Sequence, residues 1–361
     1  MLRLEPRLEA SRTWAALTPV MAVAATMVAG AVMFALLGKD PLVAIRTIFW
    51  APLFDPALAA YARPQILVKA APLILIAIGL SLGFRANIWN IGAEGQYVMG
   101  AVAGGGAALA FYPLDAWWLF PFMLFCGLLG GLLWGLIPAF LKVTFRANEI
   151  LVSLMLVYVA EQYLASVALG LLRNPDGAGF PGSRNLQTYE SAHNAELIAG
   201  TGIHLGVVTA ALAVVMVYAL LRMHRTGFEI KLSGQSPRAA RFAGVNQAVL
   251  TYFCLGTGGA FAGLAGIFEL SGPSGQLSID FNVGYGFTAI IVAFLGRLHP
   301  FGIVFAGLLM ALTYIGGEMA QFMLNLPSAA IQAFQGMLLF FLLSMEFLTR
   351  YRIRIRRLER N

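Results

Sequence analysis

Between Arg12 and Lys39 the chain carries no charged residue, and stretches of the same kind recur almost to its C-terminal end. A bilayer core takes about 20 apolar residues per helix, and Trp14 to Leu37 meets that length. Further runs lie at about 64–83, 88–111, 117–141, 150–172, 203–221, 248–270, 284–296, 301–322 and 329–348, which makes ten candidate helices. The eighth is short and glycine-edged, as a half-span would be. Composition closes the soluble alternative. Hydrophobic residues make up 59% of the chain and charged residues 11%, and mean hydropathy is +0.78. Ordinary soluble proteins are roughly 25% charged, so these few charges cannot cover a soluble surface. The expected fold class is an all-α, polytopic integral membrane protein of about ten transmembrane helices with one short or broken span. The first run is too long for a signal-peptide core and lacks a convincing cleavage site, so it reads as a retained span. Cys126 and Cys254 both fall inside apolar runs, where two lone thiols are expected rather than a disulfide.

Lys and Arg placement sets the orientation. With the N-terminus inside, 18 basic residues fall on inner segments and 5 on outer ones, with Lys69 inside the second span. Both termini are therefore expected in the cytoplasm, which requires an even number of spans. The expected organisation is a cytoplasmic segment at 1–13, a membrane-spanning body at 14–349 with a cytoplasmic loop at about 222–247, and a basic cytoplasmic tail at 350–361. The net charge of +7 belongs to these loops and to lipid, not to nucleic acid. Gly127, Gly131 and Gly135 repeat every four residues, as do Gly100 with Gly104 and Gly259 with Gly263. Small residues at that spacing let membrane helices approach closely.

Three polar constellations interrupt the apolar runs. The first is Asn87, Asn90, Glu94 and Gln96, opening the third span. A continuous helix would put Asn87, Asn90 and Glu94 on one face. The alternative is a helix interrupted at Gly92 and Gly95, which survives at membrane depth only inside protein or beside a watery cavity. Phe84-Arg85-Ala86-Asn87 recurs as Phe145-Arg146-Ala147-Asn148, suggesting two matching helix starts, each capped by Asn. The second constellation is Tyr158, Glu161 and Gln162 in the fifth run. Eleven residues beyond Ile150, at about 1.5 Å each, Glu161 lies roughly 16 Å deep, and a carboxyl there reads as functional. Lys69 reads as a snorkelling side chain. Glu269, Glu318, Gln332 and Gln335 suit either an outward vestibule or the interface. The third is the inner loop, where Ser236-Pro237 signals an N-cap with Pro at N1. The short helix Pro237, Arg238, Ala239, Ala240, Arg241 and Phe242 would end near Gly244.

No Gly-x-x-x-x-Gly-Lys-Ser/Thr loop is present, so the chain does not hold ATP in that manner. His193, His204, His224 and His299 show no ligand spacing, and no metal site or catalytic set is apparent. The chain is not expected to be an enzyme. A rival reading is a proton-coupled secondary transporter of a small polar solute, working through Glu161.

Gly83 to Gln96 resembles a signature of permease subunits of nucleoside and simple-sugar ABC importers, within the wider branched-chain amino acid/ribose permease family. Asn148 to Leu156 resembles a second family segment, Gly227 to Lys231 with Ala239 to Gly244 its coupling loop, and Leu295 to Gly302 a fourth. Members often carry Gly where Asn87 stands. The resemblance implies a multi-pass subunit of a bacterial plasma (inner) membrane. It also implies a separate cytoplasmic ATPase that binds the ATP, a second permease subunit completing a heterodimer, and an extracytoplasmic solute-binding protein. No cofactor is expected in this chain. Asn90, Glu94, Gln96, Tyr158, Glu161 and Gln162 are the expected pathway residues. Pro237, Arg238, Ala239, Ala240, Arg241 and Gly244 are expected at the ATPase.

Overall fold

The computed structural model of the chain describes residues 2–6, 12–177 and 179–355. Residues 7–11 of the expected N-terminal segment and 356–361 of the basic tail lie outside them. In chain order come β1 (Leu2–Pro6), α1 (Arg12–Leu36), α2 (Pro41–Phe49), α3 (Ala51–Phe54), α4 (Ala59–Arg85), α5 (Ala93–Ala110), α6 (Leu119–Phe145) and α7 (Glu149–Leu169). Then come α8 (Leu205–Met223), α9 (Arg225–Gln235), α10 (Pro237–Phe242), α11 (Gln247–Glu269), α12 (Tyr285–Leu295), α13 (Pro300–Leu324), α14 (Ser328–Arg350) and β2 (Tyr351–Ile355). Among the described residues seven helices, α1, α4, α6, α7, α8, α11 and α13, are long and apolar enough to cross a membrane. The expected half-span is α12, 11 residues long. Apart from the helices, β1 and β2 pair antiparallel, Leu2 opposite Ile355 and Pro6 opposite Tyr351.

The chain divides into two compact units. The first joins residues 1–63 to 312–361. Its core gathers Phe34, Ala44, Ile48, Ala320, Ile331 and Phe334, with the rings of Phe34 and Phe334 stacked at 5.8 Å.

The second unit is Pro64–Ala311. There α4 is buried along most of its length, as expected of a helix hydrophobic all round. The repeated glycines meet one another. A Cβ on Gly131 of α6 would strike Gly259 and Gly263 of α11, and one on Gly100 of α5 would strike Gly263. Three backbones thus touch along one line, a contact that only small residues permit.

The repeated tetrapeptide does not fold twice the same way. Asn148 caps α7, its Oδ1 accepting from Ile150 N–H at 2.9 Å, and Arg146 before it is left-handed at φ 56°. Asn87 instead is itself left-handed, at φ 59°, and its Oδ1 accepts from Trp89 Nε1 at 3.2 Å. It closes α4 rather than capping α5. Left-handed backbone suits Gly first and Asn next, which accounts for Gly at this place in the resembling family.

Candidate functional site

After Asn87 the backbone runs without helix until Ala93. The interrupted alternative is the one adopted, and the single face of Asn87, Asn90 and Glu94 does not form. Asn90 holds the break. Its Oδ1 accepts from Gly92 N–H at 3.0 Å and from Gln96 Nε2 at 3.2 Å, while its Nδ2 donates to Gln96 Oε1 at 2.9 Å. Ser153 Oγ of α7 accepts from Ile91 N–H at 3.2 Å. Gly92 rests against Ser153, where a Cβ would lie 2.6 Å from the Ser153 carbonyl oxygen. Buried backbone groups must find partners, and here the Asn90 side chain, itself held by Gln96, and the Ser153 hydroxyl supply them.

Glu94 is fully buried. Its carboxylate accepts from Gly284 N–H at 2.9 Å and from Gly286 N–H. Those groups lead into α12, so the acid of one helix start satisfies the orphan N–H groups of another. Beside it Tyr97 stacks on Phe281, with centroids 5.3 Å apart, and meets Tyr285 edge-on at 5.8 Å. Asn282 Nδ2 donates to Glu161. The stretch 281–286 is therefore held by α5 on one side and α7 on the other.

Lys69 does not snorkel. Its ammonium donates to Tyr285 Oη at 2.8 Å and lies 4.0 Å from Glu269, which also accepts from Tyr285 Oη at 3.4 Å. Glu269 is buried, so this pair ties α4, α11 and α12 together. Sequence spacing could not reveal a pair separated by two hundred residues. Glu318 and Gln332 are exposed in the first unit.

The second constellation is placed differently. Tyr158 is 57% exposed, Gln162 is exposed and Glu161 half-buried, all on α7. Tyr163, next to Gln162, lines a cavity of about 760 Å³ together with Met99, Tyr112, Val167, Arg173 and Arg184. Asn90, Glu94 and Gln96 thus lie inside the protein with partners of their own, while Tyr158 and Gln162 lie on its surface.

The inner loop forms the expected short helix. Ser236 Oγ accepts from Ala239 N–H at 3.4 Å, and Gly244 lies just beyond α10 at φ +79°. Pro237, Arg238, Ala239, Arg241 and Gly244 are exposed. Ala240 is 0% exposed, so it packs within the chain. Nothing in the spacing singles out Phe242, which is 94% exposed. Nor does it announce α9, whose Gly227 and Gly234 weaken the helical signal. Gly234 presses against the Arg85 carbonyl, and Arg85 Nε donates to Leu298 O at 2.9 Å. Among the described residues no three His, Cys, Asp or Glu side chains converge as a metal would need.

Residues 63–343 match the family described as branched-chain amino acid transport system, permease component. The chain is 34% identical to the glucose ABC transporter permease protein TsgB13 of Haloferax volcanii, over 98% of this chain and 94% of that one. It is 27% identical to the guanosine ABC transporter permease protein NupP of Bacillus subtilis, over 91% and 93%. It is 25% identical to the nucleoside ABC transporter permease protein NupB of Lactococcus lactis subsp. cremoris, over 85% of each. No solved structure matches the chain. With its apolar helices, it is a multi-pass plasma-membrane protein and a transport component rather than an enzyme. The broken helix start at 87–92 and the basic inner loop both fall inside the matched region, and the chain belongs to the branched-chain amino acid transport system permease family.

Proposed function

We propose that this permease passes a neutral ring-bearing solute, a nucleoside or a simple sugar, along the exposed face of α7. The observation that carries it is polar Tyr158 and Gln162 standing exposed on a helix apolar enough to span, next to the cavity lined by Tyr112 and Tyr163. Polar groups on a spanning helix face a partner or a watery path, and aromatic faces suit flat rings. Glu161 borders this path with Asn282. Asn90, Glu94 and Gln96 stand behind it and fix the wall. Relatives named for glucose and for guanosine support this solute class.

The path runs between this chain and a second, similar permease. An extracytoplasmic binding protein delivers the solute, and a separate ATPase binds the ATP and docks on α10. Pro237, Arg238, Ala239, Arg241 and Gly244 face that ATPase with Phe242 projecting among them. The chain has about ten membrane helices, the short α12 among them, with both termini in the cytoplasm. The pairing of β1 with β2 supports this, because paired terminal strands need an even number of crossings.

The test is uptake of radiolabelled guanosine and D-glucose by cells expressing the chain with and without its ATPase and second permease. Uptake of either solute should require all subunits. Uptake that persists without the ATPase and collapses with an uncoupler would overturn the reading in favour of a proton-coupled carrier.

A further inference from the structure

Phe84-Arg85-Ala86-Asn87 and Phe145-Arg146-Ala147-Asn148 part at their arginines as well as at their asparagines. Arg146 is exposed, whereas Arg85, the last residue of α4, is half-buried. Its main chain and its side chain hold different elements. The Arg85 carbonyl oxygen faces Gly234 in the last turn of α9, where a Cβ would lie 1.8 Å from it. Beside Gly234, Ser233 Oγ accepts from Gln247 Nε2 of α11 at 3.1 Å. The end of α9 is thus seated on two helices long enough to cross a membrane, α4 and α11. Ser236 alone separates α9 from α10, so α10 follows that seat.

The Arg85 side chain reaches the other way. Its Nε donates to Leu298 O at 2.9 Å, in the turn that closes α12. Leu298 N–H donates to Ala293 O of α12 at 2.8 Å, and Arg297 and Leu298 are both left-handed, at φ 54° and 56°. Two successive residues with a Cβ stay in that region only where their surroundings hold them. Arg85 supplies one hold. Another is the ring of Phe294 in α12, 5.1 Å from Phe84 and 5.7 Å from Trp89. At the far end of α12, Glu94 holds Gly284 and Gly286, and Asn282 holds Glu161. One residue therefore bridges the base of α10 and the helix whose other end borders the solute path.

We propose that Arg85 is a positioning residue for coupling. It joins the seat of α10 to α12, so that a displacement of α10 by the ATPase reaches the path wall as one rigid movement. Backbone set against backbone at Gly234, and a charge-assisted hydrogen bond at Leu298, leave little play between the two. This rests on the reading that the ATPase docks on α10.

The first test needs neither solute nor ATPase. Spin labels are attached through Arg238→Cys on α10 and Val283→Cys ahead of α12, both exposed positions. The protein is the full-length permease in nanodiscs, in a background lacking Cys126 and Cys254. The native joint should give one narrow distance. Arg85→Met keeps the apolar stem and loses the donor, and Gly234→Ala drives a Cβ at the Arg85 carbonyl. Each should broaden or displace the distance, with Arg85→Lys lying between Arg85→Met and the native chain. A native distribution in both Arg85→Met and Gly234→Ala overturns the joint. The second test is the ATP hydrolysed per solute taken up by the complete complex in proteoliposomes, with radiolabelled guanosine and D-glucose as probes. Loss of one hydrogen bond of ordinary worth shifts a two-state population about fivefold, so Arg85→Met should raise that ratio about fivefold. A merely structural loss lowers uptake and hydrolysis together, and an unchanged ratio overturns the coupling role. If the native complex takes up neither probe, the transport reading is lost and the spin-label distances decide the joint alone. A raised ratio without cross-linking of Phe242→Cys to the ATPase retains the joint and loses the docking reading of α10. Cross-linking beside a native ratio and native distances retains the docking and loses the joint.

Discussion

Glu94 and Gly286 lie 192 positions apart, and a carboxylate oxygen of the first accepts the backbone N–H of the second. With Gly284 as its other donor, one acidic side chain terminates a helix to which it does not belong. Glu94→Ala leaves the Gly286 N–H buried and unmet, at about 1–3 kcal/mol, and the half-buried Gly284 N–H to water. Glu94→Gln keeps one acceptor oxygen. Thermal melting of the purified permease should fall steeply for Ala and partway for Gln. Equal melting of the Ala variant and the native chain would remove the carboxylate from this role.

The inner helix gives a sharper contrast than spacing alone allowed. Phe242, exposed on α10, should act as a binding anchor, and such anchors typically cost about 2 kcal/mol or more when truncated. Phe242→Ala is expected to lower solute-stimulated ATP hydrolysis of the reconstituted complex more than tenfold at normal membrane yield. Arg238→Ala, a rim change worth about 0–1 kcal/mol, should lower it severalfold at most. Ala240→Trp overpacks a site inside the permease, at about 1–3 kcal/mol, and should reduce membrane yield itself. Full stimulation in Phe242→Ala would place the docking surface elsewhere.

Topology is open to direct labelling. A cysteine at Asn185 should react with a membrane-impermeant maleimide in intact cells, and one at Gln235 should react only after lysis, in a background lacking Cys126 and Cys254. Reaction of Gln235→Cys in intact cells reverses the orientation.

Glu161 borders the path and is held by Asn282. Glu161→Gln preserves a hydrogen-bonding side chain without charge. ATP-driven uptake should fall by less than about tenfold, within the worth of one hydrogen bond, and should not respond to an uncoupler. Uptake abolished by both the substitution and the uncoupler would make Glu161 a proton carrier.

His204 makes the fold acid-sensitive. Its folded value is about 4 against an ordinary 6.5, so between those limits the unfolded chain binds more protons. The stability it contributes is therefore complete above pH 6.5 and is lost as the pH falls toward 4. Melting temperature should drop between about pH 7 and about pH 5 in the native chain, and drop less in His204→Asn, which keeps a capping acceptor. Parallel curves for the two would assign the acid sensitivity to other groups.

Most of what was legible in the sequence was set locally. The Ser236-Pro237 start of α10, the cap at Asn148 and the short α12 come from neighbours in the chain, and the glycine spacing marked the faces that meet. The placement of the polar residues was not local. Lys69 finds Tyr285 and Glu269, Glu94 finds Gly284, and Glu161 finds Asn282 across 121 to 216 positions, distances over which periodicity carries no information. Identical Phe-Arg-Ala-Asn segments diverged because the residues after them differ. Glu149 and Ile150 continue a helix at once, whereas Ile91 and Gly92 are held against Ser153 and Asn90 is tied to Gln96.

The line where Gly100, Gly131, Gly259 and Gly263 meet has a bearing on how such a protein works. Side chains can slide past one another by changing rotamer, but backbone resting on backbone has no second arrangement to adopt. The three helices α5, α6 and α11 are therefore a single rigid strut, and α7 and α12 are held to it in the same way, the backbone of Val157 against Gly95 and Gly286 against the backbone of Glu94. Spin labels placed on any two of these five helices should keep one distance through the whole ATP cycle.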